Sequence, residues 1–516
     1  MTNHLAKTLG IGDTARHGRR FAAIEDGRHY AYADVDHVSA RFAAALVALG
    51  VQPGDRVAVQ VEKSIEALML YLGCVRAGGV FLPLNTAYTA SEVGYFLGDA
   101  TPRLMVADPR KAEALAPFAA AAGARLETMG VWAADGGEHG SLFAHVPDAA
   151  TFEDVARGPD DLAAILYTSG TTGRSKGAML SHDNLASNAL TLRDYWRFTS
   201  DDVLIHALPI YHTHGLFVAT NTTLVAGSSL IFMGKFDAGQ VLDAMPEATA
   251  LMGVPTFYTR LLGEARLDKE RTAGMRLFVA GSAPLLAETH RQWEARTGHA
   301  ILGHAVALEN GMPEASMITS NPYEGARRAG TVGHPLPGVE IKVTDPETGE
   351  VLPQGEIGVI QAKGPNIFKG YWGMPEKTKE ELSPEGWFLT GDLGMIDDKG
   401  YVVIVGRGKD LIISGGFNVY PKEVEGEIDQ LTGVVESAVI GVPHPDFGEG
   451  VVAVVVPEDG VAREAEAVLA PLKERVAKFK QPKRVVFVDA LPRNAMGKVQ
   501  KKDLRETYAD LFQTVS

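Results

Sequence analysis

Tyr167-Thr-Ser-Gly-Thr-Thr-Gly-Arg-Ser-Lys-Gly177 stands directly behind an apolar run, Leu162 to Leu166, and its reading decides the rest. Glycines let backbone N–H groups turn toward an anion, Ser and Thr hydroxyls add donors, and Lys176 adds charge. The segment is equipped to hold a polyphosphate. It is not a Walker loop, which needs Gly-Lys-Ser/Thr, whereas here Lys176 follows Ser175 and precedes Gly177. The plainer alternative is a flexible surface loop between a strand and a helix over Ala186–Leu192.

Around this stretch, from Arg56 to about Ala280, apolar strands alternate with helical patterns. Strands are expected at Val57–Val61, Phe81–Leu84, Arg103–Ala107, Ala163–Tyr167, Val203–Leu208, Leu230–Met233, Ala250–Val254 and Arg276–Ala280, with helices at Ile65–Arg76 and Ser91–Leu97. Such alternation reads as parallel α/β layers. Ala119 to Gly140, rich in Ala and Gly, reads as irregular surface. After Gly338 the rhythm changes to short strands joined by turn residues, an antiparallel β subdomain. Beyond Gly406-Arg-Gly-Lys-Asp410 a small α+β unit follows: a helix at Pro421–Leu431, strands at Ser437–Val442 and Val451–Val456, a helix near Glu464–Ala477, and a strand at Arg484–Val488. The boundary is placed at Arg407–Asp410, giving a large domain over 1–406 and a small one over 407–516.

The length of 516 residues supports this division, because single cores stop growing near ~250–300 residues. A net charge of −15 argues against a general nucleic-acid or acidic-membrane surface, so an anionic ligand must be met by local cations. Cys74, the only cysteine, lies in an apolar helical run and reads as core, which leaves no internal disulfide or cysteine cluster. The start of the chain has no apolar signal region and no apolar run reaches the ~18 residues of a membrane span, so the expected address is the cytosol.

Three further strings carry chemistry. Pro209-Ile-Tyr-His-Thr-His-Gly215 follows the strand at Val203–Leu208, where α/β sheets present ligand-facing loops. Its two histidines have no evident third ligand, which argues against zinc. Thr390-Gly-Asp392 places a carboxylate that, at a turn, could accept bonds from vicinal ribose hydroxyls. Leu491-Pro-Arg-Asn-Ala-Met-Gly-Lys498 ends on an ammonium that could bridge a carboxylate and a phosphate as charge builds in a transition state.

In this order the strings resemble the acyl-adenylate-forming superfamily of acyl-CoA synthetases, luciferases and peptide-synthetase adenylation domains. The resemblance runs from about Arg56 to Lys498. It implies an ATP- and CoA-dependent ligase with Mg²⁺ on the phosphates, its small domain hinged to the large one. ATP would meet Thr168, Ser169, Gly170, Thr171, Thr172, Gly173 and Lys176, with Asp392 and Arg407 on the ribose. Lys409 would be the hinge, Lys498 the catalytic lysine, Glu314 the aid to Mg²⁺, and Gly415, Gly416 and Phe417 the lining of the CoA channel. His212, in the acyl-pocket loop, and Met312 would contact the substrate. Lys498 would also be a candidate for a lysine acetyltransferase, which would remove its charge.

Within the superfamily, Tyr211-His-Thr-His-Gly, Gly253-Val-Pro-Thr-Phe-Tyr-Thr-Arg260, Gly281-Ser-Ala-Pro-Leu and Lys363-Gly-Pro-Asn-Ile-Phe-Lys-Gly-Tyr-Trp look closest to malonyl-CoA synthetases. Malonate keeps one carboxylate after activation, and burying it needs a cation with fork geometry. Arg260 is the candidate, with His212 and Ser282 as helpers; the alternative is an ordinary surface arginine. One place departs from the family pattern. Where Tyr-Gly-Met-Thr-Glu is expected, the chain reads Leu308-Glu-Asn-Gly-Met-Pro-Glu-Ala315, so the adenine-stacking aromatic has no counterpart and Pro313 replaces a hydroxyl. Three readings therefore stand: a malonate (or methylmalonate) CoA ligase, a CoA ligase for an aryl or medium-chain monocarboxylate, and a nucleotide-binding homologue without turnover. The first is the main expectation.

Overall fold

The structure, a computed structural model, describes the chain except for residues 1, 131–138, 150, 169–174, 283, 284, 286, 304–311, 415, 416, 446, 459, 462, 463, 477, 494–498 and 513–516. The side chains of Arg407, Lys409, Phe417, Asn418 and Glu474 also lie outside the description.

The expected α/β layers form as two large sheets. One is six-stranded, in the order Arg125–Thr128, Leu104–Ala107, Arg56–Gln60, Val80–Pro83, Leu162–Thr168, Lys176–Ser181. It is parallel up to Leu162–Thr168, and that strand pairs antiparallel with Lys176–Ser181. The other is seven-stranded: Leu302–Gly303, Leu277–Ala280, Ala250–Gly253, Val203–His206, Ser229–Phe232, Arg20–Ile24, His29–Ala31, parallel except for its last pair. Parallel strands buried on both faces need apolar residues at every position, which is why Leu104–Ala107, Ala250–Gly253 and Leu277–Ala280 read as continuous apolar runs and are buried throughout.

The helix Ile65–Arg76 is buried on every side. Ser64 caps it by accepting a bond from the Ala67 N–H. Tyr71 on this helix packs against Phe81 of the six-stranded sheet and Phe217 from the segment behind Val203–His206, joining the two layers. Cys74 is fully buried here, and burial pushes its thiol pKa up, as expected for a core cysteine.

The antiparallel subdomain has four strands, Glu340–Thr344, Gly358–Lys363, Phe388–Ile396 and Val402–Arg407. From Ile412 a separate five-stranded sheet begins, with Gly448–Pro457 at its centre, Val434–His444 antiparallel to it at one edge and Arg484–Phe487 parallel to it on the other side. Val451, Ala453 and Val455 pack toward the helices Pro421–Ile428 and Ala465–Arg475, while Val452, Val454 and Val456 face Leu491 and Leu504. Helical or loop cover on both faces explains why this antiparallel strand lacks a polar side.

Three expectations change. Ala119–Gly140 is not wholly irregular: the helix Ala112–Ala121 runs into it, and Arg125–Thr128 forms the edge strand of a sheet. The helix placed at Ala186–Leu192 spans His182–Tyr195, started by a capping box between Ser181 and Asn184. The segment after the glycine loop is a strand, Lys176–Ser181, which the hydroxyl-rich flanks concealed. Among the described residues no helix is long and apolar enough to cross a membrane.

Candidate active site

The strands that flank the glycine-rich string, Leu162–Thr168 and Lys176–Ser181, pair antiparallel, with Thr168 and Lys176 as cross-strand partners. Ser169, Gly170, Thr171, Thr172 and Gly173 lie outside the described residues. The Tyr95 hydroxyl donates to the Ser175 carbonyl at 2.8 Å, and the Tyr167 hydroxyl donates to Asp99 at 2.5 Å. The helix Ala90–Ala100 thus supports the hairpin from one side.

Lys176 points into a nearly dry cluster. Its side chain is 9% exposed, its Nζ donates to Glu381 Oε1 at 2.8 Å, and it lies 4.2 Å from the centre of the Tyr371 ring. The Tyr371 hydroxyl sits between two carboxylates, Glu381 and Glu314, with the Glu314 Oε1 contact at 2.9 Å. One phenolic proton cannot serve both acids. Burial, the larger influence on each, raises both carboxyls, but at Glu381 the bonds from Lys176, Tyr371 and Lys377 outweigh it and hold the group below its usual range. At Glu314 burial prevails and the pKa rises. The two acids that share the Tyr371 hydroxyl are thus shifted in opposite directions. The Tyr371 pKa is itself pushed up, by burial and then by the charge of Glu314.

Glu314 Oε2 is buried and has no hydrogen-bond partner among the described residues. A buried carboxyl whose pKa burial raises, with one oxygen unpartnered among the described residues, suits a hard divalent cation such as Mg²⁺, whose charge would favour the carboxylate form. Pro313 leaves Glu314 inside this cluster. Met312 is buried beside it, and residues 308–311 of the departing loop lie outside the described residues. Among the described residues no group of three or more His, Cys, Asp or Glu could hold a metal ion.

Asp392 lies not at a turn but inside the strand Phe388–Ile396, where it is buried and is the cross-strand partner of Arg407. The two residues assigned to ribose are thus brought together by ladder register, which the spacing in sequence could not show. Lys409 follows in a short 3-10 turn, Gly408–Asp410. The next residue, Asp410, is buried and paired with Arg505 at 2.7 Å, which ties the start of the C-terminal sheet to the helix Lys501–Thr507. Gly415, Gly416 and Lys498 lie outside the described residues. Phe417 opens the strand Phe417–Val419, and the run containing Lys498 is bounded by a bridge between Arg493 and Val499.

The histidine string folds into a π-helix, His214–Thr220, a wide turn that recurs at functional sites. Gly215 is required there, since a Cβ would stand 2.0 Å from the Pro209 carbonyl oxygen. Its carbonyl bonds His206 Nε2 at 2.9 Å and the Thr220 hydroxyl at 3.0 Å, and Lys63 donates to the His206 carbonyl at 2.8 Å. His214, rather than His212, meets Ser282: Nδ1 and Oγ are 3.2 Å apart. Burial pushes the His214 pKa down to about 3, so the ring is neutral. Ser282 has a φ of 66°, left-handed backbone that costs a non-glycine residue and marks functional loops. His212 is half-buried, with Nδ1 facing the His214 N–H at 3.4 Å. Arg260 lies on the exposed side of the helix Pro255–Leu262, whose Phe257, Tyr258 and Leu261 are buried. Among the described residues no carboxylate pairs with it.

Sequence reasoning missed Tyr371, Glu381, Tyr95 and His214 as parts of the site. Tyr371 stood in a quoted string, and a tyrosine among apolar neighbours needs a hydroxyl partner. Glu381, one of several acids on a short charged helix, carried no signal.

The AMP-binding enzyme family pattern matches residues 13–372, and that of the AMP-binding enzyme C-terminal domain matches residues 423–498. A feruloyl-CoA synthase from Amycolatopsis sp. is 37% identical, covering 94% of this chain and 96% of that protein. A malonate–CoA ligase from Arabidopsis thaliana is 33% identical, covering 95% and 86%. Among solved structures, ATP-bound MatB from Rhodopseudomonas palustris is 60% identical and superposes with a TM-score of 0.94, covering 99% of this chain and 100% of that one.

Proposed function

The chain belongs to the AMP-binding enzyme family and is an AMP-forming acyl-CoA ligase, and from that premise we propose that the acid it activates is malonate. The observation that carries the choice is the buried His214–Ser282 pair beside the acyl loop. An aryl or medium-chain acid calls for apolar walls at this place, whereas a short diacid is served by polar ones. Similarity to the Arabidopsis malonate–CoA ligase supports the same choice. Arg260, exposed on the helix Pro255–Leu262, is assigned to the second carboxylate. A monocarboxylate ligase is the second reading, favoured by the similarity to feruloyl-CoA synthase.

In the proposed reaction the malonate carboxylate attacks the α-phosphorus of ATP and expels pyrophosphate, and the CoA thiol then displaces AMP from the carbonyl. Thr168, residues 169–173 and Lys176 cradle the phosphates, while Asp392 and Arg407 hold the ribose. Mg²⁺, held through Glu314, would neutralise phosphate charge. Lys498 stabilises the charge that develops between carboxylate and α-phosphate. Residues 1–406 form the nucleotide and acid site, and 407–516 form the domain that turns about Lys409 to bring Gly415, Gly416 and Phe417 to the CoA channel. The Asp410–Arg505 pair supports this division, since it binds the residue after the hinge to the C-terminal unit. Acetylation of Lys498 rests on the resemblance alone.

The test is acid-dependent exchange of labelled pyrophosphate into ATP with malonate, methylmalonate, butyrate, benzoate and ferulate. Malonate is expected to give the fastest exchange at low acid concentration. Faster exchange with benzoate or ferulate would move the assignment to the second reading.

A further inference from the structure

We infer that Glu381 is a built-in counter-anion for Lys176, holding the ammonium in the ATP-free protein and yielding it to the triphosphate, so that nucleotide binding exchanges one anion for another. The inference rests on the reading of Lys176 as a phosphate ligand.

Lys176 enters its cluster at the first position of a strand, where a 9% exposed ammonium without a counter-charge would be costly. The Glu381 carboxylate at 2.8 Å and the Tyr371 ring at 4.2 Å occupy two sides of it. Glu381 comes from the end of the helix Pro375–Glu381, 205 residues further along the chain, so the pairing is a product of the tertiary fold.

The arrangement is asymmetric. Lys176 has no second carboxylate within ion-pair distance among the described residues. Glu381 has a second cation, Lys377, one turn earlier at 3.0 Å and shared with Glu380 at 2.7 Å, and it also accepts the Tyr371 hydroxyl. When Lys176 turns to a phosphate, Glu381 keeps Lys377 and Tyr371 and is not left as a buried, unpaired charge. The exchange is therefore open for the lysine to leave, and the cluster keeps its charge balance in both states. Two consequences follow for anions at this place. The apparent affinity for ATP is lowered by the fraction of protein in which Lys176 is engaged. The same competition acts on pyrophosphate after the first half-reaction and favours its departure.

The experiment measures binding of the non-reacting analogue α,β-methylene-ATP and inhibition by pyrophosphate, in the full chain with Mg²⁺, for wild type, Glu381→Gln and Lys377→Met. Removing the competing carboxylate in Glu381→Gln is expected to tighten both the analogue and pyrophosphate by about fivefold or more, the top of the range for surface pairs being the lower bound for this largely buried one. Its KM for ATP and its kcat are expected to fall together, because pyrophosphate leaves more slowly. Lys377→Met, which leaves Lys176 as the one cation paired with Glu381 among the described residues, should weaken both ligands by a similar factor. Opposite signs in two variants of one short helix are not expected of residues that only support the fold. Weaker or unchanged binding in folded Glu381→Gln would overturn the inference. Lys176→Met separates this from the parent reading: if it binds the analogue as wild type does, the phosphate role of Lys176 fails. If it binds poorly while Glu381→Gln is not tighter, only the counter-anion role fails.

Discussion

Replacing Gly215 by alanine tests whether the π-helix fixes the acyl pocket. The added Cβ would stand 2.0 Å from the Pro209 carbonyl oxygen and 2.9 Å from its carbon, both backbone atoms that cannot swing aside. Restoring an ordinary contact of 3.4 Å requires a shift of about 1.4 Å in the Pro209–Gly215 turn, since dense interiors absorb little of it elsewhere. The turn is held at its C-terminal end, by the Gly215 carbonyl on His206 and Thr220 and by His214 on Ser282. A displacement of this size in a substrate-positioning segment costs on the order of 10²-fold in rate. The accompanying overpacking should destabilise the large domain by about 1–3 kcal/mol. Lys176, Glu381 and Glu314 belong to a different set of elements, so nucleotide binding should be retained. The assay pairs malonate-dependent pyrophosphate exchange with binding of α,β-methylene-ATP and a urea unfolding curve. Exchange should fall about a hundredfold at sub-saturating malonate while analogue binding changes little. Wild-type malonate kinetics in Gly215→Ala would refute the reasoning, because the backbone clash would then have been relieved without moving the pocket.

Lys498→Ala should lower pyrophosphate exchange by about 10²–10³ while thioester formation from supplied acyl-adenylate survives; equal loss of both half-reactions would point to misfolding instead. Arg260→Met should erase the preference for malonate over butyrate in the same exchange assay, and an unchanged ratio would return Arg260 to the surface. Asp429 has its pKa raised from 3.8 to about 7, first by burial, with Ser437 donating to it at 2.7 Å. For an acid whose folded pKa lies above its unfolded value, the folded state binds the proton more tightly, so the favourable contribution is complete below about pH 4 and is lost as pH rises through about 7. Urea unfolding of the C-terminal domain should therefore show Asp429→Asn gaining stability over wild type at pH 8 and little at pH 4. An equal difference at both values would remove Asp429 as the source.

The alternation of apolar strands and helices made the layered core readable, because parallel strands buried on both faces must be apolar throughout. The hairpin under the phosphate loop was not readable in the same way. Lys176–Ser181 begins with a charge and ends on a capping serine, and nothing local distinguishes it from the loop before it. Asp392 and Arg407 were named as ribose residues from their strings, but their adjacency depends on the pairing of Phe388–Ile396 with Val402–Arg407, a property of register. The string of the acyl loop pointed to His212 as the partner of Ser282 at the substrate, whereas His214 meets the serine, a choice set by the local turn that opens the π-helix His214–Thr220. Glu381 was illegible for a simpler reason: one acid among several on a charged helix acquires meaning only through a partner from another part of the chain.

The central claim is that malonate is activated as an acyl-adenylate, and oxygen transfer tests it most directly. The protein is incubated with ¹⁸O-labelled malonate, ATP, Mg²⁺ and CoA, and the products are weighed by mass spectrometry. Attack of the carboxylate on the α-phosphorus predicts malonyl-CoA, pyrophosphate, and AMP carrying a single ¹⁸O. Formation of ADP and phosphate, or malonyl-CoA accompanied by unlabelled AMP, would contradict the account.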